Sequence, residues 1–178
     1  MLSAVGVTAD QPASVFGNSS GRTAGRSWPT GASQVRFGAR LPAMPLTLEE
    51  AQTLIAGAHE QAAQLGIRIT AAVVDEGGHL QALARMDGAA PLSAQIAESK
   101  AVGAALWHRD GDSLAAVHRE RAGFFAQVDR LVRLPIMPGL GSVLIRRGDA
   151  VLGAVGVSGA APEQDKECAQ AGVASLTV

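Results

Sequence analysis

Cysteine is almost missing from this chain of 178 residues. The single Cys168 excludes an intramolecular disulfide and any zinc site built from several thiolates. One thiol suits a reducing compartment, so the cytoplasm is the expected location. Tyrosine is absent and aromatic residues make up 3%. The core must come from Ala, Val, Leu, Ile and Gly, which pack closely and leave room for a ligand between subunits. Excess charge of one sign is missing too. A net charge of −1 creates no field that would draw in nucleic acid or an anionic membrane, so neither is an expected partner. No apolar run is long enough to span a bilayer. The weak apolar stretch Met1 to Val7 has no positive charge before it and stops at Ala9-Asp10-Gln11, which does not read as a signal peptide.

The familiar catalytic signatures are missing as well. There is no Gly-x-x-x-x-Gly-Lys-Ser/Thr, no His-Glu-x-x-His and no Gly-x-Ser-x-Gly. The four histidines, His59, His79, His108 and His118, have no metal-ligand spacing. Gly153-Ala-Val-Gly156-Val-Ser-Gly159 resembles a dinucleotide loop, but an antiparallel hairpin precedes it, so nucleotide binding is not expected.

What is present divides at Met44. Residues 1–43 contain segments such as Gly17-Asn18-Ser19-Ser20-Gly21 without sustained period, and read as disordered. The alternative is an arm docking on a neighbouring subunit through Phe16, Trp28 and Phe37. Met44 itself is a plausible translation start. Residues 44–178 form the expected domain, a size that supports its own core.

Within that domain Thr47-x-x-Glu50 is a capping box. Leu48, Ala51, Ile55, Ala58, Ala62 and Leu65 then mark one helical face, ended by Gly66, with His59 at its boundary. Ile67, Ile69, Ala71 and Val73 alternate as a strand. Asp75-Glu76-Gly77-Gly78 makes a turn, and Leu80, Ala82, Ala84 and Met86 return. Ser93 to Trp107 reads as a helix with Ser93 as cap, and Asp112 caps a second helix through His118 to Ala122. A short third piece is expected over Phe124 to Leu131. Val143 and Ile145 begin a second hairpin that turns at Arg147-Gly148-Asp149 and returns over Ala150 to Val157. Pro162 opens a last helix, with Glu163 and Asp165 complementing its dipole. The expected class is α+β: two β-hairpins in an antiparallel sheet with helices packed on it, in the order α-β-β-α-α-β-β-α.

Three regions carry a family resemblance. They are Leu46-Thr-Leu-Glu-Glu-Ala51; Val73-Val-Asp-Glu-Gly-Gly-His-Leu, with Arg85-Met-Asp87-Gly and Ile96-Ala-Glu-Ser-Lys100-Ala; and Val151 to Gly159, followed by Glu163-Gln-Asp165. Together, from Leu46 to Leu176, they resemble the GlcG/HbpS-like family. That family includes HbpS-type haem-binding proteins, GlcG proteins and the C-terminal domain of PduO-type proteins. The resemblance implies an antiparallel sheet, assembly into homo-oligomers, and haem as the leading ligand. It also leaves an alternative: a cofactor-independent enzyme of tautomerase, hydrolase or dehalogenase type, acting on a small anionic or aromatic acid. One departure stands out. Where the family has Pro-Gly-Gly-Val-Pro-Ile, this chain has Leu140-Gly-Ser-Val-Leu-Ile145, which changes the polarity of that loop at Ser142.

The candidate residues each carry two readings. Arg85 ends a strand and can hold a haem propionate or substrate carboxylate, or else pair with Asp87. Lys100 is an anion contact or a base under the enzyme alternative, or else sits on a solvated helix face. His108 leaves a helix end beside Trp107, so it is the expected haem-iron ligand, or the general base, against simple C-capping. Ser158 and Gly159 precede the last helix, whose free N–H groups can receive an anion. His79 is read as solvent-exposed, and Met86 and Met137 as packing residues.

Overall fold

Thr47 and Glu50 start the first helix as their spacing predicts. The computed structural model describes residues 44–176. The extension 1–43, with Phe16, Trp28 and Phe37, lies outside them. The Thr47 hydroxyl accepts from the Glu50 N–H at 3.1 Å, and the Glu50 carboxylate accepts from the Thr47 N–H at 2.8 Å. That second bond, more than any other contact, holds the Glu50 carboxyl below the usual range. Helix α1 (Leu48–Gln64) follows, burying Ala51, Leu54, Ile55, Ala58 and Ala62. The buried face is rotated slightly from the expected stripe: Leu48 points to solvent and Leu54 takes its place.

Strands β1 (Thr70–Asp75) and β2 (Leu80–Arg85) make the first hairpin. Strands β3 (Ser142–Arg147) and β4 (Ala150–Ser158) make the second. The β1–β4 ladder, running from Thr70↔Ser158 to Asp75↔Gly153, is also antiparallel and joins them in the order β2-β1-β4-β3. Between the hairpins lie α2 (Ser93–Trp107), α3 (Gly111–Glu120) and the short α4 (Ala122–Val128); α5 (Pro162–Ala174) ends the fold. The α+β class and the hairpin order are as expected.

Alternation sorts the layers. Ile69, Ala71, Val73, Val155 and Val157 face α1 and α5, packing on Leu54, Ala58, Cys168 and Ala169. Val74, Leu144 and Ala154 face α2, against Ala101, Ala104 and Ala105. Fully burying a side chain such as Leu54 stabilises the fold by about 1.5–3 kcal/mol. Gly156 permits the close approach of α2: a Cβ there would lie 2.2 Å from the Ala97 carbonyl oxygen.

Two expected caps are used differently. Ser93 is the first helical residue, and its hydroxyl lies 2.6 Å from the Thr70 hydroxyl, tying α2 to the sheet. Asp110, not Asp112, is the N-cap residue of α3. Its carboxylate accepts from the Leu144 N–H at 2.8 Å and so pins the helix start to β3.

Candidate functional site

Helix α2 crosses the sheet with two unlike sides. Its inner side carries Ala97, Ala101, Ala104 and Ala105, all fully buried. Its outer side lines two cavities in sequence. Leu92, Gln95, Ile96 and Ser99 border one of about 280 Å³, opposite Leu134, Pro135, Ile136 and Met137. Val102 and Leu106 border the next, of about 260 Å³, with Leu131, Val132, Arg133 and Leu134 and the turn Gly77-Gly78-His79. Leu92, Ile96, Ser99, Val102 and Leu106 recur at three- and four-residue steps, so they share one helix face. Leu134 is a shared wall of the two cavities, which lie in series along α2 as an apolar groove.

The turn borders the groove at Gly78, which takes φ +75°; a Cβ there would lie 3.3 Å from Leu106 and 3.5 Å from Val102. A side chain at that position would be strained whatever the space. His79 follows at once. Asp75 organises it: one carboxylate oxygen accepts from the Gly77 N–H at 2.9 Å and the His79 N–H at 2.8 Å, and His79 Nδ1 lies 3.2 Å from the same carboxylate. Arg133 borders the groove and donates to Glu98 at 2.6 Å.

The residues singled out in the sequence fall at two ends of the fold. Arg85 pairs with Thr70 in the ladder, and Thr70 with Ser158, so Arg85, Ser158 and Gly159 share one sheet end. Arg85 forms no ion pair with Asp87; its guanidinium donates to the Ala89 carbonyl at 2.8 Å. Ser158 is buried. His108 lies at the far end of α2, which at ~1.5 Å per residue is about 22 Å long over its 15 residues. It is exposed and left-handed (φ 50°, ψ 41°), as the C-cap of α2. Trp107 beside it stacks on Phe125 at 4.6 Å, anchoring this helix end.

Lys100 occupies the other side of α2. It is not on a solvated face. Its Nζ donates to the Asp165 carboxylate at 2.8 Å and the Val157 carbonyl at 2.9 Å. Burial pushes the Asp165 carboxyl up, opposed by Lys100 and the Ala160 N–H. Arg85, Lys100 and His108 therefore do not converge on one pocket within the chain, as a small-acid enzyme would require.

A smaller polar cavity of about 70 Å³ lies between the α3 start and α5, lined by Asp110, Asp112, Ser142, Lys166 and Gln170 among others. Lys166 donates to Asp112 at 2.8 Å, and that bond above all holds the Asp112 carboxyl below its usual range. The Ser142 hydroxyl is buried here without a partner. The sequence flagged this loop through Ser142. Nothing in periodicity flagged the groove, since it forms only when the 131–137 segment folds beside α2.

No group of three His, Cys, Asp or Glu side chains converges as a metal site among the described residues, and no helix among them is long and apolar enough to cross a membrane.

Comparison with known proteins finds relatives of the chain. A family model described as "Haem degrading protein HbpS-like" matches residues 46–174. Protein GlcG of Escherichia coli K12 is 37% identical over 115 residues, covering 64% of this chain and 81% of GlcG. The corrinoid adenosyltransferase PduO of Citrobacter freundii is 28% identical over 139 residues, 78% of this chain but 41% of PduO. Among solved structures, the PduOC:heme complex superposes with a TM-score of 0.68 at 26% identity, covering 76% of this chain and 97% of that one. HbpS gives 0.69 at 29% identity, covering 76% and 93%.

Proposed function

This chain belongs to the HbpS-like family, and from that premise we propose that it binds haem in the apolar groove along α2. The observation that carries the reading is the groove itself. Its two cavities, of about 260 and 280 Å³, are walled by Val102, Leu106, Leu134, Ile96 and Met137. Each lies just below the range of sites for drug-sized ligands, about 300–1,000 Å³, and their apolar walls in series suit a flat apolar ligand better than a small acid. Haem also needs cations for its propionates. Arg133 borders the groove, and Arg85 stands near the N-terminal end of α2, where Ala89 holds its guanidinium. His108, two residues past Leu106, stands at the other end. Ser158 and Gly159 lie at the Arg85 end of the sheet but do not line the groove, and Ser158 is buried. Bound haem would supply a redox-active iron; the chain supplies the apolar wall, the charged rim and an imidazole.

The enzyme alternative is not favoured, since Lys100 is committed to Asp165 and Val157. We also read the chain as a homo-oligomer. Leu48, Leu80 and Phe124, outside the groove, are exposed by 52%, 46% and 45%, apolar surface that a second copy of the chain can cover. Light scattering giving a monomer mass at micromolar concentration would remove that part of the reading. Residence in the cytoplasm, where Cys168 stays reduced, is part of the same proposal and is testable by cell fractionation.

The central test is a haemin titration followed by absorption. The wild-type protein is expected to give a saturable, shifted Soret band. Ile96→Glu, which puts a charge in the groove wall, is expected to weaken binding at least tenfold while the far-UV dichroism stays unchanged. Unaltered affinity in that variant would move the ligand elsewhere, and no specific band in wild type would end the haem reading.

A further inference from the structure

We infer that His79 is the residue that ligates the haem iron, with Asp75 as its positioning partner; the inference rests on the haem-binding reading above. Three observations bring these two side chains to that role.

The first is the tautomer. His79 Nδ1 lies 3.2 Å from both oxygens of the Asp75 carboxylate. A carboxylate only accepts, so Nδ1 is the donor and carries a ring proton. In the neutral ring Nε2 then holds the free lone pair. Metal-binding histidines are commonly arranged this way, with the distal N–H given to a carboxylate that fixes the ring and raises its basicity.

The second is rigidity. Asp75 is the last residue of β1, opposite Gly153 of β4. Its carboxylate is already held by the backbone N–H groups of Gly77 and His79. The turn is closed by the Gly78 N–H donating to the Asp75 carbonyl and by the Asp75 N–H donating to that of His79, each at 3.0 Å. The imidazole is thus carried by a braced turn at a sheet end.

The third is access. The His79 side chain is 78% exposed, yet it lines the groove with Val102, Leu106 and Leu134. A ligand in the groove can reach the exposed His79 ring without breaking any contact of the core. The other histidines are less suited. His59 Nε2 is committed to the Ala84 carbonyl at 3.2 Å, and His118 packs on Phe125 at 4.9 Å between ring centres. His108 is open to solvent but does not line the groove and has no carboxylate bonded to its ring among the described residues.

The experiment compares haemin complexes of wild type, His79→Ala, Asp75→Asn and His108→Ala by absorption and electron paramagnetic resonance. Wild type is expected to show an imidazole-ligated ferric signature. His79→Ala should lose that signature and bind haemin at least tenfold more weakly, and added free imidazole should restore it. Asp75→Asn should keep imidazole ligation but raise the ferric/ferrous midpoint potential, because the amide polarises the ring less. A second measurement needs no haem: nitrogen-15 shifts of the free protein should report His79 protonated at Nδ1. If His108→Ala loses the signature and His79→Ala keeps it, His79 is not the ligand although haem binding stands. A free-protein His79 protonated at Nε2 overturns the assignment as well. Absence of any specific band in wild type overturns the binding reading and this inference together.

Discussion

Lys100 Nζ sits 2.8 Å from Asp165 Oδ2, and the two side chains are only 11% and 4% exposed. The pair joins α2, on one face of the sheet, to α5, on the other. Each charge has further partners: Lys100 donates to the Val157 carbonyl, and Asp165 accepts from the Ala160 N–H. Removing two charges from water costs several kcal/mol per ion, and only complete pairing offsets it. Lys100→Met is therefore expected to destabilise the fold by about 3–5 kcal/mol, since it strands a buried carboxylate. The double variant Lys100→Met/Asp165→Asn should recover most of that loss in urea unfolding. A single variant within about 1 kcal/mol of wild type would show that water relieves the carboxylate.

His59 gives the fold a pH dependence. Burial lowers its pKa below 6.5, and the Ala84 carbonyl only partly opposes this. The unfolded chain then takes up the proton first as pH falls. Stability is full above the unfolded value of about 6.5 and declines as pH drops through the lower folded value. The thermal midpoint should fall between about pH 7 and pH 5, and His59→Gln should flatten that slope. An equal slope in the variant would assign the dependence to other groups.

Cys168 should be chemically silent in the native state. Burial, and secondarily the charges of Asp165 and Glu167, push its thiol up to about 11. The thiolate is the reactive form, so it is scarce at neutral pH. Iodoacetamide should leave the native protein unmodified over hours and label it rapidly in guanidinium. Rapid native labelling would mean that α5 opens locally.

Ser142 carries a cost that a smaller side chain avoids. Its hydroxyl is buried with no protein partner, and an unsatisfied buried polar group costs about 1–3 kcal/mol. Ser142→Ala should raise stability by up to about 1 kcal/mol in chemical unfolding. A clear loss instead would show that a water or small ligand in the adjoining 70 Å³ cavity completes its bonding.

Local signals were readable in the sequence and non-local ones were not. The Thr47 capping box, the glycine turn after Asp75 and both hairpins rest on neighbours within a few residues, and each forms as read. Helix α2 was legible as a helix but not as two faces. Its small residues give no amphipathic stripe, so the burial of Lys100 showed only when β4 and α5 arrived beside it. For the same reason Arg85 and His108 looked equally close to a site, although a whole helix separates them. His79 read as a solvent-exposed turn residue. The exposure is right, but the groove it borders comes from the 131–137 segment, far along the chain.

The β1–β4 ladder carries one more consequence. Each hairpin closes over a short turn and can form early. The ladder that makes one sheet of them pairs Thr70 with Ser158 and must wait for the whole helical insertion between. Closing that interval costs chain entropy before any contact repays it, so the union of the hairpins is the slow event in folding. Until it happens, β1 and β4 present unpaired backbone edges of apolar strands. Propensity to aggregate during synthesis is then set by the rate of that one encounter, independently of how stable the finished molecule is.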